Sequence, residues 1–225
     1  MTVLGIDSRY NTRTPPPQYK YVYHKLTEHR SFVNEIADEQ QAMAIAANLP
    51  MGWYHFWRAW ADPVEQIKWL SDNEFNRPQT QLRTVLDFED TYAPKGGATP
   101  GLVMKAIEAF EYVYGYKPII YSAPWWWNVW VGSVISVEKI NARPLWPAHW
   151  TAASAPTLAT NWKNWVLWQY AGDLSLTGFN AKVDLNRMKQ EWYDQETAPP
   201  PPPPDDPTVV HLPAGTTRIL IEIGS

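Results

Sequence analysis

Acidic residues lie at the ends of several short apolar segments. The segment VLDFED, residues 85–90, is a strand-like run that ends on Asp87, Glu89 and Asp90. Successive side chains of a strand point to opposite faces, so Asp87 and Glu89 project to one side and Phe88 to the other. Glycoside hydrolysis requires such a pair of carboxyl groups, because one protonates the leaving oxygen while the other stabilises or attacks the charge that develops at the sugar carbon.

Two more acids occupy comparable positions. Asp7 ends the apolar segment VLGID, and Asp184 lies in the segment VDLN. Repulsion among carboxylates gathered at one site would raise at least one pKa and keep an acid protonated near neutral pH. An isolated Asp-x-Glu pair is more often a solvated strand end, and Asp184 could instead be a buried salt-bridge partner of Lys25 or Arg187. The candidate catalytic residues are Glu89, Asp87, Asp7 and Asp184.

Aromatic side chains are abundant, with Trp 14 and Tyr 12. Their flat faces can stack on the C–H faces of sugar rings, so those near strand ends are candidates for substrate binding. Most of the tryptophans are expected in the core, and at least one ring of the run 125–127 should pack inward at helical spacing. His55 has an alternative role as a hydrogen-bonded structural residue beneath the site. The candidate substrate-binding residues are Tyr121, His55, Trp57, Trp125, Trp146 and Trp168.

Composition excludes several classes of partner. The net charge is -4 and Lys and Arg are scattered, which argues against nucleic acid and against an anionic membrane surface. The absence of Cys removes thiolate chemistry, and the His residues lack a paired ligand spacing, so we expect neither a metal nor a cofactor. The start of the chain lacks the features of a signal peptide, so we expect synthesis without one.

Strand-like and helical segments alternate along the first two thirds of the chain. This alternation indicates an α/β fold with a parallel sheet, and about eight strands in roughly 200 residues suit a closed TIM-like barrel. No helical period joins the last strands, which predicts a barrel with incomplete helices, of (β/α)5(β)3 type. The carboxyl ends of the strands would then bring the acids to one face. The strand-like runs are 3–7, 19–24, 52–57, 84–89, 118–122, 143–150, 165–170 and 182–186.

Three helices are predicted with defined features. Phe32, Ile36, Met43 and Ala47 mark one face of the first. The second begins at Asp62 as N-cap with Pro63 in its first turn. The third opens at Thr99 and Pro100 and stops at Gly115. A further helix after Ala123 has a weaker pattern.

Composition changes after residue 196. We therefore expect a catalytic barrel over residues 1–196, a proline-rich linker over 197–207 and a short β tail over 208–225. Eighteen residues cannot build a core of their own, so the tail could dock on the barrel, on another chain or on another module.

The sequence blocks resemble, in order, those of the glycoside hydrolase family 25 lysozymes, the Chalaropsis-type muramidases common among phage endolysins. The resemblance runs from about residue 3 to 192 and is carried by GIDS (5–8), HKLTE (24–28), GWYHF (52–56), LDFED (86–90), IIYS (119–122), LWPAHW (145–150), WVLWQY (165–170) and VDLN (183–186).

This resemblance implies an incomplete-helix barrel that cleaves the β-1,4 bond between N-acetylmuramic acid and N-acetylglucosamine in bacterial peptidoglycan. It makes Glu89 the acid/base. Asp87 would orient the substrate's acetamido group or stabilise the charged transition state. Asp7 and Asp184 become supporting carboxylates, and Tyr121 and the tryptophans hold sugars. An enzyme of this kind would act at the bacterial cell wall and, if phage-encoded, would be made in the host cytoplasm.

The sequence departs from the family pattern in two places. The segment RYNTRTPPPQ is short and proline-rich where the family has a longer segment with a helix, and Trp150 replaces the usual Tyr of its block. Neither change involves the acids. The carboxylate separation that distinguishes retaining from inverting enzymes requires a structure. The resemblance favours retention assisted by the substrate's acetamido group.

Three functions remain open at this point. The first is a peptidoglycan muramidase. The second is a module that uses the same cleft to hold wall glycan without cutting it. The third is a metal-assisted phosphodiesterase, although such sites normally add histidines or arginines for phosphate.

Overall fold

The computed structural model describes residues 1–93 and 99–198. Most of the predicted linker and all of the predicted tail lie outside these residues. The described part contains strands β1 (Thr2–Ser8), β2 (Val22–Glu28), β3 (Phe32–Val33), β4 (Met51–Phe56), β5 (Val85–Asp87), β6 (Ile119–Ser122), β7 (Leu145–Pro147), β8 (Leu167–Leu174) and β9 (Val183–Lys189), with helices α1 (Ala37–Ala46), α2 (Pro63–Glu74), α3 (Thr99–Tyr114), α4 (Pro124–Trp130), α5 (Val137–Asn141) and α6 (Gln190–Thr197).

The strands form one barrel-like sheet in the order β7-β6-β5-β4-β2-β1-β9-β8, with β3 paired on β2. Neighbours from β7 to β1 along this order are parallel. A parallel bridge between Ala148 and Gln169 joins the two ends of the order. The predicted α/β barrel with incomplete helices is therefore confirmed. Within the described residues, no helix is long and apolar enough to cross a membrane.

The last strand does not follow the predicted parallel arrangement. Strand β9 is antiparallel to both β1 and β8, and its register places Asp184 opposite Asp7. The reason is that β8 and β9 follow each other without a crossover helix, which a parallel pair would need. Asp184 therefore reaches the carboxyl end of β1 from the amino-terminal part of its own strand.

Local signals located two helices correctly. Asp62 caps α2 by accepting hydrogen bonds from the backbone N–H groups of Val64 (2.8 Å) and Glu65 (3.2 Å). The third predicted helix is confirmed as α3, and Gly115 follows it with a φ of 71°, the left-handed conformation of a helix stop. The weaker helix prediction after Ala123 is confirmed as α4.

The predicted face of the first helix was wrong. Phe32 lies in β3, and α1 buries Ala37, Gln40, Gln41 and Ala44 instead. The Gln40 amide donates hydrogen bonds to the backbone oxygens of Arg9 (2.9 Å) and Asn11 (3.1 Å). A polar face is buried here because its side chains donate hydrogen bonds to backbone carbonyl oxygens of the loop that follows β1.

Two apolar layers hold the barrel together. One lies between the sheet and the helices and includes Ile6, Trp53 and Leu86. The other fills the barrel interior and includes Tyr21 and Tyr23, whose rings lie against glycines of neighbouring strands. An ideal Cβ on Gly5 would lie 2.3 Å from the Tyr21 ring. Glycine at this position is therefore a packing requirement beneath the site.

We predict that Gly5→Ala destabilises the barrel by about 1–3 kcal/mol, because the added methyl group overpacks the interior. The matched control is Gly101→Ala in α3, where, apart from chain neighbours and the helix backbone, no atom of the described residues lies within 4 Å of an added Cβ. That change should stabilise by about 0.5–1 kcal/mol, since alanine is the better helix former. Urea denaturation measures both free energies of unfolding, and equal effects of the two substitutions would contradict this packing account.

Candidate active site

Four carboxylic acids line one cavity of about 330 Å³ at the carboxyl ends of the parallel strands. Asp7 comes from β1, Asp87 is the last residue of β5, Glu89 follows two residues later and Asp184 comes from β9. Asp7 and Asp87 are buried, and Glu89 and Asp184 are partly buried. The structure thus brings together all four acids that the sequence singled out.

Two amide side chains hold Asp7 and Asp184 next to each other. Oδ1 of Asp7 accepts hydrogen bonds from Asn186 Nδ2 (2.7 Å) and from Gln169 Nε2 (3.1 Å). Gln169 Nε2 also donates to Asp184 Oδ2 (3.2 Å), and the Asp173 backbone N–H donates to Asp184 Oδ1 (2.6 Å). These donors partly compensate the burial of two acids that would otherwise repel each other.

Aromatic side chains fix the orientation of both amides. Oε1 of Gln169 accepts from Tyr121 Oη (3.1 Å) and from Trp150 Nε1 (2.9 Å), so its NH2 group faces the acids. Asn186 Oδ1 likewise accepts from Trp146 Nε1 (3.0 Å). The aromatic residues around the cavity therefore act on the acids through the amides that they orient.

Burial and mutual repulsion raise the pKa values of the acids. Burial raises the pKa of Asp7 well above its usual range, and the charge of Asp184 adds to it. The pKa of Asp87 is also raised well above its usual range, by burial and then by Glu89. Burial and the charge of Asp184 raise the pKa of Glu89 to about 6, against the opposing effects of Lys25, Tyr121 and Arg58. A carboxyl group with this pKa can hold a proton in mildly acidic solution.

One acid of the cavity retains an unused hydrogen-bonding atom. Oδ1 of Asp87 is buried and has no hydrogen-bond partner among the described residues. A buried acceptor without a donor is costly, so an N–H or O–H group of a bound molecule would be favoured there. Its position beside Glu89 in the cavity makes Asp87 suited to hold a polar group of a substrate.

The third acid of the LDFED segment has a structural role. Asp90 is fully buried, pairs with Arg58 Nη1 (3.0 Å) and accepts from the Ala59 backbone N–H (3.0 Å). Arg58 also pairs with Glu28 (2.6 Å), which in turn pairs with Lys25. This chain of ion pairs ties the segment that carries Glu89 to β2 and β4.

Asp184 is not a salt-bridge partner of the two cations considered from the sequence. Lys25 pairs with Glu28. The Arg187 guanidinium lies over the rings of Trp168 (5.4 Å) and Tyr170 (4.7 Å). Asp184 therefore remains in the cavity with the other acids.

Comparison with known proteins identifies the family. Residues 17–179 match the family model described as glycosyl hydrolases family 25. The chain belongs to this family. Lysozyme M1 of Streptomyces globisporus is 28% identical over 178 residues, which cover 74% of this chain and 59% of that protein. The chain thus spans less than two thirds of the length of this relative.

Solved structures of similar fold agree with this assignment. The lysozyme of Streptomyces coelicolor superposes with a TM-score of 0.75 at 22% identity, covering 88% of this chain and 98% of that one. A family GH25 lysozyme from Aspergillus fumigatus gives a TM-score of 0.70 at 21% identity, with 87% and 98% covered. At these identities the likeness shows the fold that family 25 members share.

Three of the predicted substrate-binding residues of this family 25 chain lie inside the protein. His55 and Trp57 are 0% exposed and Trp168 is 1% exposed, and none of them lines the acid cavity. His55 bonds to Thr27 Oγ1 (2.8 Å), and burial lowers its pKa to about 3, so its ring is neutral. For His55, the alternative interpretation as a structural histidine agrees with the structure, because a side chain without exposed surface cannot contact a sugar.

The other aromatic candidates are accessible to different degrees. Tyr121 and Trp146 line the acid cavity but are only 9% and 1% exposed. Trp125 is 58% exposed on α4, while Trp126 and Trp127 are fully buried, which confirms that not all three rings of this run face outward. Trp150 is 57% exposed and packs against Gly172, where an ideal Cβ would lie 2.1 Å from its ring.

Sequence reasoning missed three residues of the site. Tyr54 and Gln169 line the cavity, and Asn186 bonds to Asp7. Strand alternation could have located two of them. Tyr54 precedes His55 and Gln169 follows Trp168, so each faces the opposite side of the sheet from that neighbour. Within the described residues, no group of three or more His, Asp or Glu side chains is arranged to hold a metal ion.

The raised pKa of Glu89 predicts a pH-dependent cost to stability. Glu89 ionises more easily in the unfolded chain than in the folded protein, so stability falls as pH rises from its ordinary pKa of 4.5 through about 6. Glu89→Gln should therefore gain up to about 2 kcal/mol relative to wild type between pH 4 and pH 7.5, at about 1.4 kcal/mol per pKa unit. Glu108→Gln, at an exposed position of α3, should show no such change. Urea denaturation at both pH values tests this, and a pH-independent difference for Glu89→Gln would refute it.

Proposed function

We propose that this protein is a lysozyme that hydrolyses the β-1,4 bond between N-acetylmuramic acid and N-acetylglucosamine in bacterial peptidoglycan. The observation that carries the proposal is Glu89, an acid with its pKa raised to about 6, in one cavity with Asp7, Asp87 and Asp184. Membership of glycosyl hydrolases family 25 and the similarity to lysozyme M1 support the same chemistry.

In this proposal Glu89 is the general acid and then the general base. It gives its proton to the glycosidic oxygen as the bond from that oxygen to the sugar C1 breaks. Asp184 supports this role because its charge raises the pKa of Glu89. Once deprotonated, Glu89 accepts a proton from the water that attacks C1 in the second step.

Asp87 positions the substrate's acetamido group. Its buried, unpartnered Oδ1 is an acceptor suited to the acetamido N–H. Held in this way, the acetamido oxygen attacks C1 from the face opposite the leaving group and closes a five-membered ring. Water then opens that ring at C1 from the first face, so the configuration at C1 is retained. Asp7 and Asp184 complete the polar wall of the cavity.

Aromatic residues are proposed to hold the sugars on either side of the cleaved bond. Tyr54 and Tyr121 border the acids directly, whereas Trp146, which is 1% exposed, acts through Asn186. The exposed rings of Trp125 and Trp150 offer flat surfaces further out. The substrate would lie across the carboxyl ends of the strands, at the surface of the bacterial cell wall.

We predict that Glu89→Gln abolishes clearing of a cell-wall suspension, lowering the rate at least about 100-fold through loss of general acid catalysis. The amide has the same shape but cannot give a proton. Glu108→Gln should clear the suspension at the wild-type rate. Turbidity measured at pH 5–6 tests this, and a Glu89→Gln protein as active as wild type would remove Glu89 from the mechanism.

The products and a chelator separate this proposal from the alternatives. Mass spectrometry of the released fragments should find muramic acid at the new reducing end, whereas N-acetylglucosamine there would overturn the specificity. A glycan-holding module would bind walls without releasing fragments. A metal-assisted phosphodiesterase would lose activity in EDTA, which the proposed lysozyme should tolerate.

A further inference from the structure

A second cavity of about 710 Å³ opens beside the acids. It shares Asp7, Tyr54 and Asp184 with the acid cavity, so the two are continuous. Arg9, from the loop after β1, lines this second cavity and does not line the acid cavity. A molecule bound across Glu89 would therefore extend toward a positive charge.

The Arg9 side chain lies against aromatic rings and has no acidic partner in the part of the chain that the structure describes. Its guanidinium lies over the rings of Tyr10 (4.5 Å) and Phe32 (4.8 Å). Its Nε is buried without a hydrogen bond, and among the described residues no acid pairs with the guanidinium. The backbone beneath is fixed, since the Arg9 oxygen accepts from Asn34 Nδ2 (3.0 Å) and Gln40 Nε2 (2.9 Å).

The other cations near the acids already have carboxylate partners. Lys25 and Arg58 both pair with Glu28. Lys182, which lines the same cavity as Arg9, pairs with Asp173 (2.7 Å). Leaving a partly buried guanidinium without an acceptor is costly, and its planar donors match the two oxygens of a carboxylate. Arg9 is thus available for an anion that residues 1–93 and 99–198 do not supply.

We propose that Arg9 binds a carboxylate on the 3-O-substituent of the muramic acid residue and so selects muramyl glycans. This inference rests on the proposed function. N-acetylglucosamine lacks this substituent, whereas muramic acid carries a lactyl group that is either free or joined to an acidic peptide. The free lactyl carboxylate and the peptide carboxylates share the same chemistry toward a guanidinium.

The test compares wild type with Arg9→Met, Arg9→Lys and Arg30→Met on three substrates. The first is wall glycan with its peptides, the second is glycan freed of peptides so that the lactyl carboxylate is exposed, and the third is wall glycan whose carboxyl groups have been converted to amides. The rate at which reducing ends are released gives kcat and KM for each combination of protein and substrate. Arg30 is exposed and lines neither cavity, so its substitution controls for the loss of one positive charge.

We expect Arg9→Met to raise KM about tenfold or more on a carboxylate-bearing substrate, with kcat nearly unchanged, and to leave KM on the amidated glycan unaltered. Arg9→Lys should give a smaller increase, and Arg30→Met should match wild type. If Arg9→Met raises KM only when peptides are present, the group that Arg9 binds is a peptide carboxylate. If it raises KM only on the peptide-free glycan, that group is the lactyl carboxylate.

Equal KM values for wild type and Arg9→Met on all three substrates would overturn the inference. An equal loss of activity on all three would also overturn it, because it would give Arg9 a structural role. Failure of wild type itself to release reducing ends from any of them would instead overturn the proposed function.

Discussion

The constraint on which the site depends is the burial of four acids in one cavity of the barrel, to which their mutual repulsion adds. Each of the four carboxyl groups loses hydration there, and Asp184 and Glu89 oppose one another's ionisation. The amides of Gln169 and Asn186 donate compensating hydrogen bonds to Asp7, and Gln169 and the Asp173 backbone N–H donate to Asp184. The pKa of Glu89 is about 6 because burial and the charge of Asp184 outweigh the opposing effects of Lys25, Tyr121 and Arg58. In the proposed lysozyme, Glu89 is therefore the proton donor and the other three carboxyl groups are its supporting acids.

The fold supplies this arrangement through details of the barrel rather than through its general shape. The antiparallel β9 sets Asp184 opposite Asp7, which a parallel last strand would not do. Glycines such as Gly5 allow the tyrosine rings to fill the space beneath the acids. The stability lost by burying acids is recovered in this packed aromatic floor and in the ion pairs that run from Lys25 to Asp90. The protein therefore combines a tightly packed scaffold with a cavity in which ionised acids are electrostatically unfavourable.

The sequence was sufficient for features set by local chemistry. The cap at Asp62 and the stop at Gly115 located two helices, and the acids at strand ends located the cavity. It was insufficient where distant segments decide the outcome. Nothing local shows that α1 should bury Gln40, because the bonding partner is the loop after β1. The direction of β9 and the inward face of the GWYHF segment likewise depend on which strands become neighbours. The roles of Asp7, Asp87, Glu89 and Asp184 remain predictions.

The central claim is that burial and the charge of Asp184 hold the proton on Glu89. The most direct measurement is an NMR titration of its side-chain carboxyl carbon in protein labelled with 13C-glutamate, assigned by comparison with Glu89→Gln. The account predicts a pKa of about 6 in the wild-type protein. It also predicts a lower pKa in Asp184→Asn, because the amide removes the charge that opposes ionisation. A pKa near 4.5 in wild type, or one that Asp184→Asn leaves unchanged, would contradict the claim.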